Sequence, residues 1–126
     1  MKMDMEIIRK ILLKIEEKCP PNEYEIFTTD NFPGLDWEII LGHSRLMENK
    51  GLFQGVSQEI TDNWFSVDGL SWEGYEFLEN IRDPEIWQKT KTTAIDLKNF
   101  GFDTIKSLAK GYLKQKIKQQ TGLDVE

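Results

Sequence analysis

Apolar and polar positions alternate along this chain with two different periods, and the changes of period mark its elements. Ile8, Ile11, Leu12 and Ile15 recur at helical spacing. Asp4 stands where a cap is needed, with Met3 and Ile8 at the two staple positions. Pro20 and Pro21 stop this helix near Cys19. EYEIFT, residues 23–28, then alternates, which predicts a short strand with Tyr24 and Ile26 on one face and Phe27 on the other. NFPG breaks the chain, and Asp36 can cap a helix from Trp37 to about Lys50. Ile39, Ile40, His43, Leu46 and Met47 form the expected apolar side of that helix, and Gly51 is suited to end it.

The stretch GLFQGVSQEITDNWFSVDGL, residues 51–70, predicts two strands joined around Thr61, Asp62 and Asn63. Helical spacing then returns. Ser71 is an expected N-cap, and Tyr75, Phe77, Leu78 and Ile81 an expected buried stripe. Asp83 and Pro84 open a further helix with Trp87, Ala94 and Leu97 inward, ended by Gly101. Asp103 or Thr104 is expected to cap the last helix, whose inner face is Ile105, Leu108, Ala109, Tyr112, Leu113 and Ile117. The QTGLDVE tail is expected to fray. No internal repeat or low-complexity segment interrupts the pattern.

Helix, strand, helix, hairpin and three helices make a mainly α chain with a small β-hairpin, an α+β class. A helical unit followed by a hairpin predicts a winged-helix-like domain over residues 1–82. Residues 83–126 are then a C-terminal helical extension packed on that core, within one structural domain. The 36–50 helix takes the reading position and 51–70 the wing. One helix of the usual three is missing or reduced to the turn DNFPGLD. The aromatic-rich stretch LSWEGYEFLENIRDPEIW raises the question of core against recognition surface. Leu70, Trp72, Tyr75, Phe77, Leu78 and Trp87 are expected to be core, knitting the hairpin base to the tail.

Length and composition narrow the classes. The chain has 126 residues, 39% hydrophobic and 30% charged, which is enough for one globular core. No apolar run approaches the ~20 residues of a membrane span. MKMDMEIIRK is broken by charges before a signal-peptide pattern can form, so a cytoplasmic location is expected. Cys19 is the only cysteine, which excludes an internal disulfide and a cysteine-built zinc site. Charge is uneven. Residues 1–85 carry 8 basic and 18 acidic side chains, whereas residues 86–126 carry 8 and 4.

MKMDMEIIRKILLKIE, HSRLMENKGL and LSWEGYEFLENIRDPEIWQKTK resemble a bacterial and prophage family of unknown function. Its members open with an M-K-x-D helix and carry an L-T-W-E-G-x-E-F-L block before D-x-x-x-W. The resemblance spans roughly residues 1–91 and is most specific in the W-E-G-x-E-F-L block. It implies a winged-helix-like fold and a phage setting, with no established activity and no catalytic residues. Ser71 stands here for threonine and Tyr75 for a common histidine.

Chemistry is sparse. His43 is the lone histidine, no acids sit at metal or acid–base spacing, and no glycine pattern cradles phosphate. An enzyme and a cofactor are therefore not expected. DNA is the attractive partner for the fold, through His43, Ser44 and Arg45 on the reading helix and Trp64 at the wing. Charge opposes it: between Asp36 and Leu70 only Arg45 and Lys50 are basic, against six acids. Lys106, Lys110, Lys114 and Lys118 recur every fourth residue as a ridge, with Lys116 nearby. Three readings stand for it: a solvated face, a contact to the acidic body of the same or a neighbouring chain, or a nucleic-acid or other anionic partner. The expected partner is a protein or a second copy held through the C-terminal helices, with DNA disfavoured and no membrane.

Overall fold

The computed structural model describes residues 1–20, 23–55 and 58–124. Pro21, expected to help stop the first helix, lies outside the described residues. So do residues 56–57 of the hairpin region and the last two residues of the QTGLDVE tail. The chain divides into two compact units, Met1–Glu76 and Phe77–Glu126.

In the first unit α1 (Met5–Lys18) starts on Asp4, whose carboxylate accepts the Glu6 N–H at 2.9 Å. It buries Met5, Ile7, Ile8, Ile11, Leu12 and Ile15 and ends as Cys19 turns extended ahead of Pro20. A short β1 (Glu25–Phe27) and a 3₁₀ turn (Thr29–Asn31) follow. Thr28 and Asn31 cap that turn reciprocally, so its free N–H groups are satisfied without a longer helix. α2 (Trp37–Lys50) begins on Asp36 and stops at Gly51, whose left-handed backbone (φ 80°) favours glycine. β2 (Glu59–Ile60) and β3 (Phe65–Val67) complete an antiparallel sheet in the order β1-β3-β2, with Phe65 opposite both Phe27 and Ile60.

Phe65 is the hub of this unit's aromatic core. Its ring lies 5.2 Å from Phe27, 6.0 Å from Trp37 and 6.4 Å from Phe32, centroid to centroid. Tyr24 and Ile26 alternate to the solvent side of β1 while Phe27 is buried. Ser66, polar between two core residues, is nevertheless interior.

α3 (Trp72–Ile81) carries the chain from the first unit into the second. In the second unit α4 (Pro84–Leu97) and α5 (Phe102–Thr121) pack on each other. Asp83 caps α4 by accepting the Glu85 and Ile86 N–H groups. Phe77 stacks on Phe102 at 4.3 Å, and Thr93 meets the Tyr112 hydroxyl at 2.5 Å. The described fold is thus mainly helical with one small three-stranded sheet.

Several expected positions are corrected. Leu46 is exposed and Leu41 takes its place inside α2, because the buried arc is centred on Ile40, His43, Ser44 and Met47. Leu97 is 59% exposed, since α4 has ended there. Gly101 does not end α4. Lys98 does, in a left-handed turn, with its N–H on Ile95 O and the Asn99 N–H on Ala94 O. Gly101 instead stands at the N-cap of α5, and neither Asp103 nor Thr104 has that role. Most importantly, Trp72 and Tyr75 are not core, whereas Leu70, Phe77, Leu78 and Trp87 are.

Candidate functional site

The α2 candidates for a nucleic-acid or partner contact separate into an inner and an outer set. His43 is fully buried. Its Nδ1 lies 2.7 Å from Ile39 O, and its Nε2 accepts the Asp4 N–H at 2.8 Å. This pattern needs a neutral ring with the proton on Nδ1, donating along its own helix and receiving the start of α1. Ser44 is also buried and donates to Ile40 O at 2.9 Å. Both side chains are buried and hydrogen-bonded within the fold.

Arg45 faces outward. Its guanidinium lies 3.7 Å from the Asp62 carboxylate in the hairpin tip, and Trp37 Nε1–H donates to Asp62 O at 2.9 Å. Thr61 closes the same tip by donating its N–H to Trp64 O at 2.8 Å, with half-buried Trp64 beside it. The structure therefore brings Arg45 and Trp64 to one region and withdraws His43 and Ser44 from it.

A different surface emerges at the start of α3. Ser71 works here in three directions. Its N–H donates to Leu52 O at 2.9 Å, its hydroxyl donates to Gly51 O at 2.5 Å, and its oxygen accepts the Gly74 N–H at 3.0 Å. Gly74 lies against the same segment: a Cβ there would stand 2.2 Å from Leu52 O. The first turn of α3 is thus bolted to the end of α2 through Ser71 and Gly74, and Leu70 is buried beneath it.

That clamp turns Trp72 outward. At about 100° per residue, position 72 lies roughly 160° around the helix from Gly74. Trp72 is 77% exposed and Tyr75 43% exposed, with Glu73 and Glu76 exposed beside them. None of these four side chains has a hydrogen-bond, ion-pair or ring partner among the described residues. The family model described as "Hypothetical protein (DUF2513)" matches residues 2–101, a span that holds this clamp and the exposed tryptophan. The chain belongs to that family. An "Uncharacterized protein" of Haemophilus influenzae is 30% identical over 120 residues, covering 91% of this chain and 98% of that one. No solved structure matches.

In the second unit of this DUF2513 chain the lysines of α5 divide. Lys116 is engaged by Asp83 at 2.5 Å and lies 3.9 Å from Glu85, and Lys118 pairs with Asp124 at 3.1 Å. Lys106, Lys110 and Lys114 have no such pairing among the described residues. The Lys116 hydrogen bond, with the helix N–H groups, holds the Asp83 carboxyl below the usual carboxylate range, and Asp83 in turn raises Lys116. A depressed carboxyl stabilises the fold above its unfolded titration range and loses that effect as pH falls through the lower folded value. Titration by carboxyl-detected NMR should place Asp83 below ordinary aspartates, and Lys116→Met should move it back up.

Elsewhere in the first unit, burial pushes the Cys19 thiol up to about 11, with Glu25 and Asp68 adding to the effect. Its Sγ lies 3.7 Å from Val67 O. Since the thiolate is the reactive form, Cys19 should react with a disulfide reagent at neutral pH at least about tenfold more slowly than a free thiol. Reaction at the free-thiol rate would contradict this placement. No His, Cys, Asp and Glu group able to hold a metal ion forms among the described residues. No described helix is long and apolar enough to cross a membrane.

Hydrophobicity alone puts Trp72 inside, whereas the structure puts it on the surface. The signal was present in the spacing: Gly74, Phe77, Leu78 and Ile81 define one arc at i, i+3, i+4 and i+7, and position 72 falls opposite.

Proposed function

We propose that this DUF2513 protein is a non-catalytic regulatory or adaptor module of the prophage type, acting through protein contacts. One observation carries the reading: Trp72, in the first turn of α3, is 77% exposed although Ser71 and Gly74 on either side are fixed into the fold. A tryptophan left in water on a rigid backbone loses hydrophobic stabilisation in the free protein. It regains that stabilisation when covered by a partner, and little ordering opposes this because the helix is already set.

A winged-helix topology fits the same chain. The 3₁₀ turn stands between β1 and α2 where that fold has its second helix, and β1 pairs with β3 as a wing's central strand requires. The DNA-binding reading of that topology receives less support. Two of its base-facing candidates are interior, and Arg45 is occupied by Asp62.

Trp72→Ala should change the unfolding free energy by less than about 0.5 kcal/mol, as surface substitutions do. The same variant should lose the proteins that the wild type captures from its native host, identified by cross-linking and mass spectrometry. Random duplex DNA at low salt should give no mobility shift. A salt-sensitive shift, or capture unchanged by Trp72→Ala, would reject the reading.

A further inference from the structure

The exposed α3 turn and the lysine ridge of α5 have complementary chemistry. On α3, Trp72 and Tyr75 offer aromatic faces, and Glu73 and Glu76 stand beside them as carboxylates with no partner among the described residues. On α5, Lys106, Lys110 and Lys114 form a row of cations at four-residue spacing, also without an ion-pair partner among the described residues. Both surfaces are helical, so both repeat at about 6 Å per four residues. A lysine stem can lie across an indole or phenol ring while its ammonium reaches an adjacent carboxylate. Charge is matched on the larger scale too: the unit Met1–Glu76 carries 7 basic and 15 acidic side chains, whereas Phe77–Glu126 carries 9 and 7.

We propose that the occupant of the Trp72 face is a second copy of this chain, whose Lys106, Lys110 and Lys114 lie over Trp72 and Tyr75 and pair with Glu73 and Glu76. The proposal rests on the protein-binding reading of that face and names its partner. Each copy holds both surfaces, so a two-fold dimer would make the proposed contact twice. The contact is electrostatic and aromatic, so the self-association is salt-sensitive.

Sedimentation equilibrium of the full chain tests this. Raising salt from about 0.01 M to about 1 M shortens the Debye length from about 30 Å to about 3 Å, and the dimer should weaken by about tenfold or more. A double variant with Glu73→Lys and Glu76→Lys should be a folded monomer. So should a triple variant with Lys106→Glu, Lys110→Glu and Lys114→Glu. Mixing the two should restore a heterodimer, because each mutated surface then meets its opposite on the other chain. Circular dichroism establishes that each variant is folded.

A wild-type monomer at high concentration and low salt would overturn the proposal. Variants that dimerise like the wild type, or a mixture that stays monomeric, would do the same. None of these results touches the capture experiment with Trp72→Ala, which decides independently whether the face binds other proteins.

Discussion

Phe65→Ala lowers the unfolding free energy of this protein by about 3–5 kcal/mol, the range for deleting a large ring from a closed core. Phe65 is fully buried in the central strand of the sheet. Three rings, Phe27, Phe32 and Trp37, lie within 6.4 Å of it by centroid distance. They come from β1, the segment after the 3₁₀ turn and the start of α2, so no single neighbour can move to fill the space. Each also loses its aromatic pairing with Phe65, worth about 0.5–1.5 kcal/mol beyond area alone. Urea unfolding followed by tryptophan emission measures this directly, because Trp37 is itself one of the contacting rings. A loss under about 1 kcal/mol would show that the four rings do not form one packed cluster.

Gly74→Ala should destabilise by about 2–4 kcal/mol, although the same change in an open helix is favourable. The added Cβ would meet the Leu52 carbonyl oxygen at 2.2 Å, and this obstacle is backbone, not the end of a flexible side chain. α3 would have to draw away from residues 51–52. The Ser71 N–H bond to Leu52 O and the hydroxyl bond to Gly51 O would then lengthen together. Gly111 provides the internal comparison. It lies within α5, and a Cβ there meets nothing within 4 Å. Gly111→Ala should stabilise by about 0.5–1 kcal/mol through helix propensity alone. Chemical denaturation of both variants reads the opposite signs. Equal effects would mean that α3 does not rest on the end of α2.

These two glycines show where sequence reasoning stops. Both occupy helical stretches; spacing puts Gly74 on the apolar arc of α3, but nothing local shows how closely another part of the chain approaches it. The difference lies in a carbonyl from residue 52, brought to Gly74 by the turn after α2.

Local chemistry was legible wherever a short-range rule governs it. Asp4, Asp36, Ser71 and Asp83 cap the helices that their positions announced, because a cap is a contact between a side chain and amides two or three residues away. The α+β class, the end of α2 at Gly51 and the hairpin tip at Thr61 followed from the same kind of rule. The stop of α4 was not legible, since a lysine carries no sign that it will adopt the left-handed turn seen at Lys98.

Helical spacing sets Trp72 opposite Phe77, but which side of α3 is covered, and by what, was decided only by tertiary structure. Trp72 and Phe77 are both large and apolar, and they differ in which side of α3 they occupy. The covered side is set by the Ser71–Gly74 clamp on residues 51–52. His43 and Ser44 likewise carry polar atoms that suit a surface, but each bonds a carbonyl four residues back in α2, and the start of α1 adds the Asp4 N–H on His43. Hydrogen-bond demand can be met within a helix turn, as at Ser44, whereas the side chains that cover a residue come from distant parts of the chain.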